Sequence, residues 1–145
     1  MPCAVLGVTC RAGLVTELEY LPPEVETLPP QDSIAERVAH QLAAYLEDPH
    51  HRFDLPLAPY GSDFQHSVWQ AICAIEVGAT ATYQQIARDL HSAPRAIGQA
   101  CGANAYPLVI PCHRVVASGG IGGFGHRRDG FPIRVKRWLL AHERG

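Results

Sequence analysis

Hydrophobic and polar positions along the 145-residue chain change period several times, and each change predicts an element. Residues 3–20 alternate loosely, as Ala4-Val5-Leu6-Gly7-Val8-Thr9 and again as Leu14-Val15-Thr16-Glu17-Leu18-Glu19-Tyr20, on either side of the turn-like Arg11-Ala12-Gly13. That spacing predicts a β-hairpin. Leu21-Pro22-Pro23 ends it, and a Pro-rich link runs to Pro30. Then the period lengthens: Ile34, Val38, Leu42, Tyr45 and Leu46 recur at helical spacing. Ser33 and Glu36 stand at the spacing of a capping box, and Pro49 stops the helix. His50 to Pro56 reads as a short extended piece leading to a loop at Gly61.

Beyond Gly61 the pattern becomes a run of short helices. Ser62 or Asp63 can cap one whose inward residues are Phe64, Val68, Ala71, Ile72 and Ile75. Val77-Gly78-Ala79-Thr80 breaks it, and Thr82 with Gln85 repeats the capping-box spacing ahead of Ile86 and Leu90. After His91-Ser92-Ala93, Pro94 sits where a first helical turn tolerates it and opens a helix through Cys101. Two short helices joined this tightly, the second beginning with arginine and small residues, have the proportions of a helix-turn-helix. Phe64, Trp69 and Trp138 are expected in the core.

The length fits one domain, or one domain with a small appendage. No apolar run approaches the roughly 20 residues of a membrane span, and the first seven residues lack the basic start of a signal peptide. A cytoplasmic protein without a membrane partner is expected. The net charge of −2 hides a split: residues 1–82 carry three arginines against eleven acids, whereas residues 83–145 carry eight arginines and Lys136 against three acids. A half at −8 and a half at +6 leave two explanations open. Either the basic half meets a polyanion, or the two halves attract each other within one fold.

Five cysteines, an odd number without C-x-x-C spacing, argue against a disulfide framework. Cys3 and Cys10 have no histidine at zinc-finger spacing, so no metal is expected. Cys73 and Cys101 lie in helical patterns and are expected to pack as small hydrophobes.

Cys112 differs. In Leu108-Val109-Ile110-Pro111-Cys112-His113-Arg114-Val115-Val116 the proline biases Ile110 to an extended conformation and argues against a helix. A cysteine is a nucleophile only as thiolate and needs a base or a positive charge nearby. Neighbouring side chains on a regular strand point to opposite faces. Cys112 and His113 can therefore cooperate only through a turn or a bridging water; otherwise Cys112 is a buried structural thiol beside a surface histidine.

Pro111-Cys112-His113-Arg114-Val115 resembles the active-site motif of the methylated-DNA–protein-cysteine S-methyltransferases, the 6-O-alkylguanine-DNA alkyltransferases. Phe64-Gln65-x-x-Val68-Trp69-x-Ala71, Thr82-Tyr83-x-x-Ile86-Ala87, Arg95-Ala96-Ile97-Gly98, Gly102-Ala103-Asn104 and Lys136-Arg137-Trp138-Leu139-Leu140-Ala141-His142-Glu143 resemble that family's other blocks, in order. The resemblance covers residues 61–145. It implies an α+β protein: a short N-terminal hairpin-and-helix scaffold over residues 1–60, then a mainly helical, winged-helix-like domain over 61–145 that binds DNA and reacts with it.

The resemblance also assigns roles. Cys112 is the methyl acceptor, His113 the base acting through a water, and Glu143 the group that holds His113 in its productive tautomer. Asn104 is the hinge between the recognition helix and the active-site segment. Tyr83 contacts the target nucleotide, Arg95 fills the space of the extruded base, and backbone near Cys112 and Val115 reads that base. Phe124 and Gly125 form the pocket wall. The plain rivals are a half-buried aromatic at Tyr83 and an ordinary phosphate contact at Arg95.

The implied function is repair of alkylated guanine in double-stranded DNA by a monomer, with no cofactor and one transfer per chain. The alternative is a non-catalytic sensor of alkylated DNA with impaired transfer. The sequence departs from the family where an expected Asn-Pro reads Asn104-Ala105, which predicts a looser hinge. It departs again in a longer stretch from His126 to Pro132, where Arg127 and Arg128 either add phosphate contacts or belong to a surface insertion. The N-terminal 60 residues match the family poorly.

Overall fold

The computed structural model describes residues 1–122 and 130–145, and within it the alternating segment pairs with itself. Strands β1 (Val5–Arg11) and β2 (Leu14–Leu21) form an antiparallel hairpin. Its turn is Ala12 (φ 53°) and Gly13 (φ 78°). Paired positive φ angles suit the right-handed twist of the strands; glycine adopts them freely, while Ala12 bears roughly 1 kcal/mol of strain. The register runs Thr9 to Glu17 and then Cys10 to Val15, leaving Thr16 as a bulge. This is why Val15 and Leu18, three residues apart, both face the core.

Helix α1 (Ser33–Glu47) begins one residue earlier than its capping-box spacing predicts. Asp32, not Ser33, is the cap, and its carboxylate accepts from Ala35 N at 2.7 Å. A charged oxygen there also complements the helix dipole, an advantage Ser33 lacks. Helix α2 (Asp63–Cys73) has the Ser62–Gln65 capping box, and α3 (Tyr83–Asp89) has the Thr82–Gln85 one. Helix α4 (Pro94–Gly102) starts on Pro94 with no side-chain cap. The link from α3 to α4 turns at His91 (φ 53°), completing the helix pair. Helix α5 (Phe131–Arg144) takes Phe131 and Pro132 into its first turn, so the C-terminal end of the longer stretch is helical. Strands β3 (Ala81–Thr82) and β4 (Val115–Val116) form a short parallel ladder.

Among the described residues, three clusters make the core of this α+β fold. The first joins Val68, Trp69 and Ile72 of α2 to Ile86, Ile97, Cys112 and Val115. The second joins Ala4 and Tyr45 to Leu108, Val135 and Leu139, with Trp138 half-buried at its edge. The third joins Val15, Leu18 and Val38 to Tyr106. The last two each mix N-terminal and C-terminal residues, so the hairpin and α1 are packed onto α5 and the stretch that precedes Pro111.

Two packing expectations are corrected. Phe64 is 39% exposed, because the buried stripe of α2 begins a turn later at Val68. Cys73 ends α2 and is exposed rather than packed. Among the described residues no helix is long and apolar enough to cross a membrane.

Candidate active site

The apolar run before Pro111 does not extend as a strand. Ile110 N donates to Tyr106 O at 2.9 Å, Leu108 adopts φ 76°, and Pro107 bridges to Ile110, so the chain doubles back. The 3-10 turn Cys112–Arg114 then supplies the turn that adjacent cysteine and histidine need, and β4 continues from it. Cys112, His113 and Arg114 are all buried.

His113 is fully buried and donates through Nε2 to Glu143 Oε2 at 2.7 Å. An ionised carboxylate only accepts, so the proton sits on Nε2 and Nδ1 carries the lone pair. Nδ1 has no hydrogen-bond partner among the described residues. Burial lowers the basicity of the imidazole, against the opposing pull of Glu143, so His113 is neutral near pH 7.

Glu143 comes from the last turn of α5. Arg114 grips it bidentately, Nε to Oε1 at 2.8 Å and Nη2 to Oε2 at 3.0 Å, while Arg114 Nη1 donates to Ile75 O at 2.8 Å. The Tyr45 hydroxyl adds a further bond to Oε2 at 2.7 Å. Burial alone would raise the carboxyl; the bonds from His113, Arg114 and Tyr45 outweigh it and hold Glu143 down at about 2.

Cys112 is 5% exposed. Contact with the Cys101 thiol and burial push its thiol well above the usual range, and Asn104 works the other way. Asn104 Nδ2 donates to Cys112 Sγ at 3.2 Å and to Ile110 O at 3.0 Å, and Asn104 Oδ1 accepts from Tyr106 N at 2.9 Å. Asn104 therefore touches the Cys112 sulfur itself. Cys101, expected to be a packing residue, lies on α4 against that thiol.

Tyr83, the first residue of α3, packs on the same cluster as Cys112, and burial raises its hydroxyl to about 12. The loop at Gly122 (φ 73°) passes so close that a Cβ there would meet the Tyr83 ring at 3.1 Å. Val115 offers its carbonyl to Lys136 Nζ at 2.8 Å. Lys136 is fully buried, lies 5.9 Å from the Tyr83 ring centre, and is lowered to about 8 by burial. Arg95 is exposed on the first turn of α4. Phe124, Gly125, Arg127 and Arg128 lie outside the described residues.

Four residues that line this centre are given no role by sequence reasoning: Tyr45, Arg114, Lys136 and Cys101. Arg114 and Lys136 sit within quoted motifs, whereas nothing local marks Tyr45, whose partner is 98 positions away. A cavity of about 700 Å³ lies behind the network, against Arg114, Cys73 and His51, and Cys112 does not line it. Among the described residues no group of His, Cys, Asp or Glu is placed to hold a metal ion. Chemically, the site combines a buried thiol, an amide donor on its sulfur, and a neutral imidazole with a free lone pair held by a carboxylate.

Residues 63–145 match the family described as 6-O-methylguanine DNA methyltransferase, DNA binding domain. The chain is 39% identical over 149 residues to the regulatory protein ada of Salmonella typhimurium, covering 97% of this chain and 39% of that one. It is 49% identical over 108 residues to a methylated-DNA–protein-cysteine methyltransferase of Methanosarcina barkeri, covering 72% of this chain and 65% of that one. With the Mycobacterium leprae protein of the same name it shares 39% identity over 132 residues, covering 86% of this chain and 79% of the relative. The chain thus spans less than two thirds of the length of the first two relatives. A crystal structure of Mycobacterium tuberculosis OGT in complex with DNA aligns with a TM-score of 0.78 and 33% identity, over 96% of this chain and 86% of that one.

Proposed function

The chain belongs to the 6-O-methylguanine DNA methyltransferase family, and from that membership we propose that it repairs double-stranded DNA by moving the alkyl group of 6-O-alkylguanine onto Cys112. The observation that carries this reading is the buried Cys112 thiol, bonded by Asn104 and adjacent in chain to an imidazole whose far nitrogen is held by Glu143.

The thiol gives its proton, through a water, to Nδ1 of His113. The thiolate attacks the methyl carbon; a C–S bond forms, the C–O6 bond breaks, and its electron pair stays on the guanine. The guanine then takes up a proton, so that overall one methyl and one proton exchange places. The product is a neutral thioether with no leaving group to expel, which limits each chain to one transfer. No cofactor enters the balance.

A stacked base cannot present its 6-oxygen substituent in line with a buried sulfur, so the nucleotide must leave the helix at a cost of a few kcal/mol. Tyr83 meets it in this reading, a role supported by its packing on the cluster that holds Cys112. Helix α4, with small residues Ala96, Gly98 and Gly102, an uncapped first turn and exposed Arg95, suits an approach to phosphates. The basic half of the chain is then where DNA lies, in a monomeric, cytoplasmic protein.

The test is intact mass after incubation with a duplex containing 6-O-methylguanine. A gain of one methyl group, mapped to the Cys112 peptide and absent in Cys112→Ser, supports the reading. Tight binding without a mass change would favour a non-catalytic sensor instead.

A further inference from the structure

Glu143 is where the N-terminal segment enters the site. Its Oε2 accepts from His113 Nε2 at 2.7 Å, from Arg114 Nη2 at 3.0 Å and from the Tyr45 hydroxyl at 2.7 Å. Tyr45 lies on α1 and is 1% exposed. A phenol buried so deeply needs a partner for its O–H, and here the partner is the carboxylate that holds the imidazole.

The phenol is itself held on both sides. Its ring meets His142 edge-on at 5.2 Å and Phe53 at 5.7 Å, and its carbonyl accepts from His142 Nε2 at 2.9 Å. Helices α1 and α5 are thereby stitched together one residue from Glu143. A carboxylate oxygen has two in-plane lone-pair directions, so a third donor on Oε2 restricts where the other two can sit.

We propose that Tyr45 is a positioning residue for alkyl transfer, through which the N-terminal segment fixes the carboxylate of Glu143 and so sets the orientation and basicity of His113. The role rests on the alkyl-transfer reading above. Each donor to Glu143 draws off part of its negative charge, so His113 meets a weaker acceptor with the hydroxyl present than without it. The charged groups around this point are Arg114 on the 3-10 turn, Glu143 itself and Lys136 on α5; the titratable hydroxyl of Tyr20 faces Tyr45 from β2. Through this hydroxyl α1 is joined to the carboxylate.

Tyr45→Phe removes one oxygen and keeps the ring contacts. Single-turnover methyl transfer from a 6-O-methylguanine duplex is followed by intact mass across the titration range of an imidazole, beside DNA affinity and thermal melting. The expected result is a transfer rate lower by about tenfold, an acid limb moved to higher pH, and unchanged DNA affinity. A lower melting temperature with rate and acid limb both at wild-type values, measured well below the melt, overturns the proposal. Absence of transfer by the wild-type protein overturns the alkyl-transfer reading instead. In that case the His113 titration, followed by NMR in wild type and Tyr45→Phe, decides for Tyr45: an unmoved titration rejects its role.

Discussion

The hydroxyl of Tyr60 takes the amide hydrogen of Ala105 and gives its own to the carbonyl of Ala103 at 2.7 Å. One phenol thus clamps the chain on both sides of Asn104. The expected proline at position 105 would have no N–H to offer, so the looser hinge that Ala105 predicts from sequence is tied here by hydrogen bonds. Tyr60→Phe should cost about 1 kcal/mol in urea unfolding. Ala105→Pro should cost less in the Tyr60→Phe background than in wild type, because the lost amide then has no partner to strand. Strictly additive energies in that four-protein cycle would reject the coupling.

Asn104 does more than turn the chain. Its amide on Cys112 Sγ favours the thiolate against the Cys101 contact and burial, which oppose it. Asn104→Ala should therefore raise the Cys112 thiol further and slow its alkylation by iodoacetamide at neutral pH. Peptide mapping separates Cys112 from the other four cysteines. An unchanged pH profile at the Cys112 peptide would mean the amide has no influence on the sulfur.

Glu143 predicts an acid limit to stability. A carboxyl held at about 2 in the fold, against 4.5 when free, contributes stability that is complete above 4.5 and is lost as pH falls toward 2. His113, whose basicity is lowered by burial, adds to the loss as pH falls below 6.5, because the unfolded chain takes up a proton there that the fold resists. Glu143→Gln strands the buried Arg114 guanidinium and should cost on the order of 3 kcal/mol at neutral pH. Thermal melts across this range should show a shallower acid loss in the variant; parallel curves would remove Glu143 as the cause.

Arg127 and Arg128, which lie outside the described residues, are tested through salt. If both meet phosphates, replacing both with alanine should weaken duplex binding and lower the slope of log affinity against log salt by roughly two. An unchanged slope identifies the stretch as a surface insertion.

The hairpin, a helix cap at Ser62 or Asp63, the capping box at Thr82, Pro94 at a helix start and the order of the helices were legible in the sequence. Each depends on residues within one or two turns of each other, where propensity and capping act directly. Cys112 stood out too, because Pro111-Cys112-His113-Arg114-Val115 is a contiguous motif. The Thr16 bulge, the exposure of Phe64 and the choice of Asp32 over Ser33 as cap were not, since strand register, the edge of the core and competition between adjacent caps depend on neighbours the local pattern does not name.

What only the tertiary structure decided is which groups surround the reactive ones. Tyr45 reaches Glu143, Tyr60 reaches Ala105, and Cys101 reaches Cys112 across separations that carry no period and no spacing. Buried polar groups must find partners wherever packing puts them. Sequence marked Cys112 and determined the order of the helices; packing determined how that thiol is oriented, charged and held.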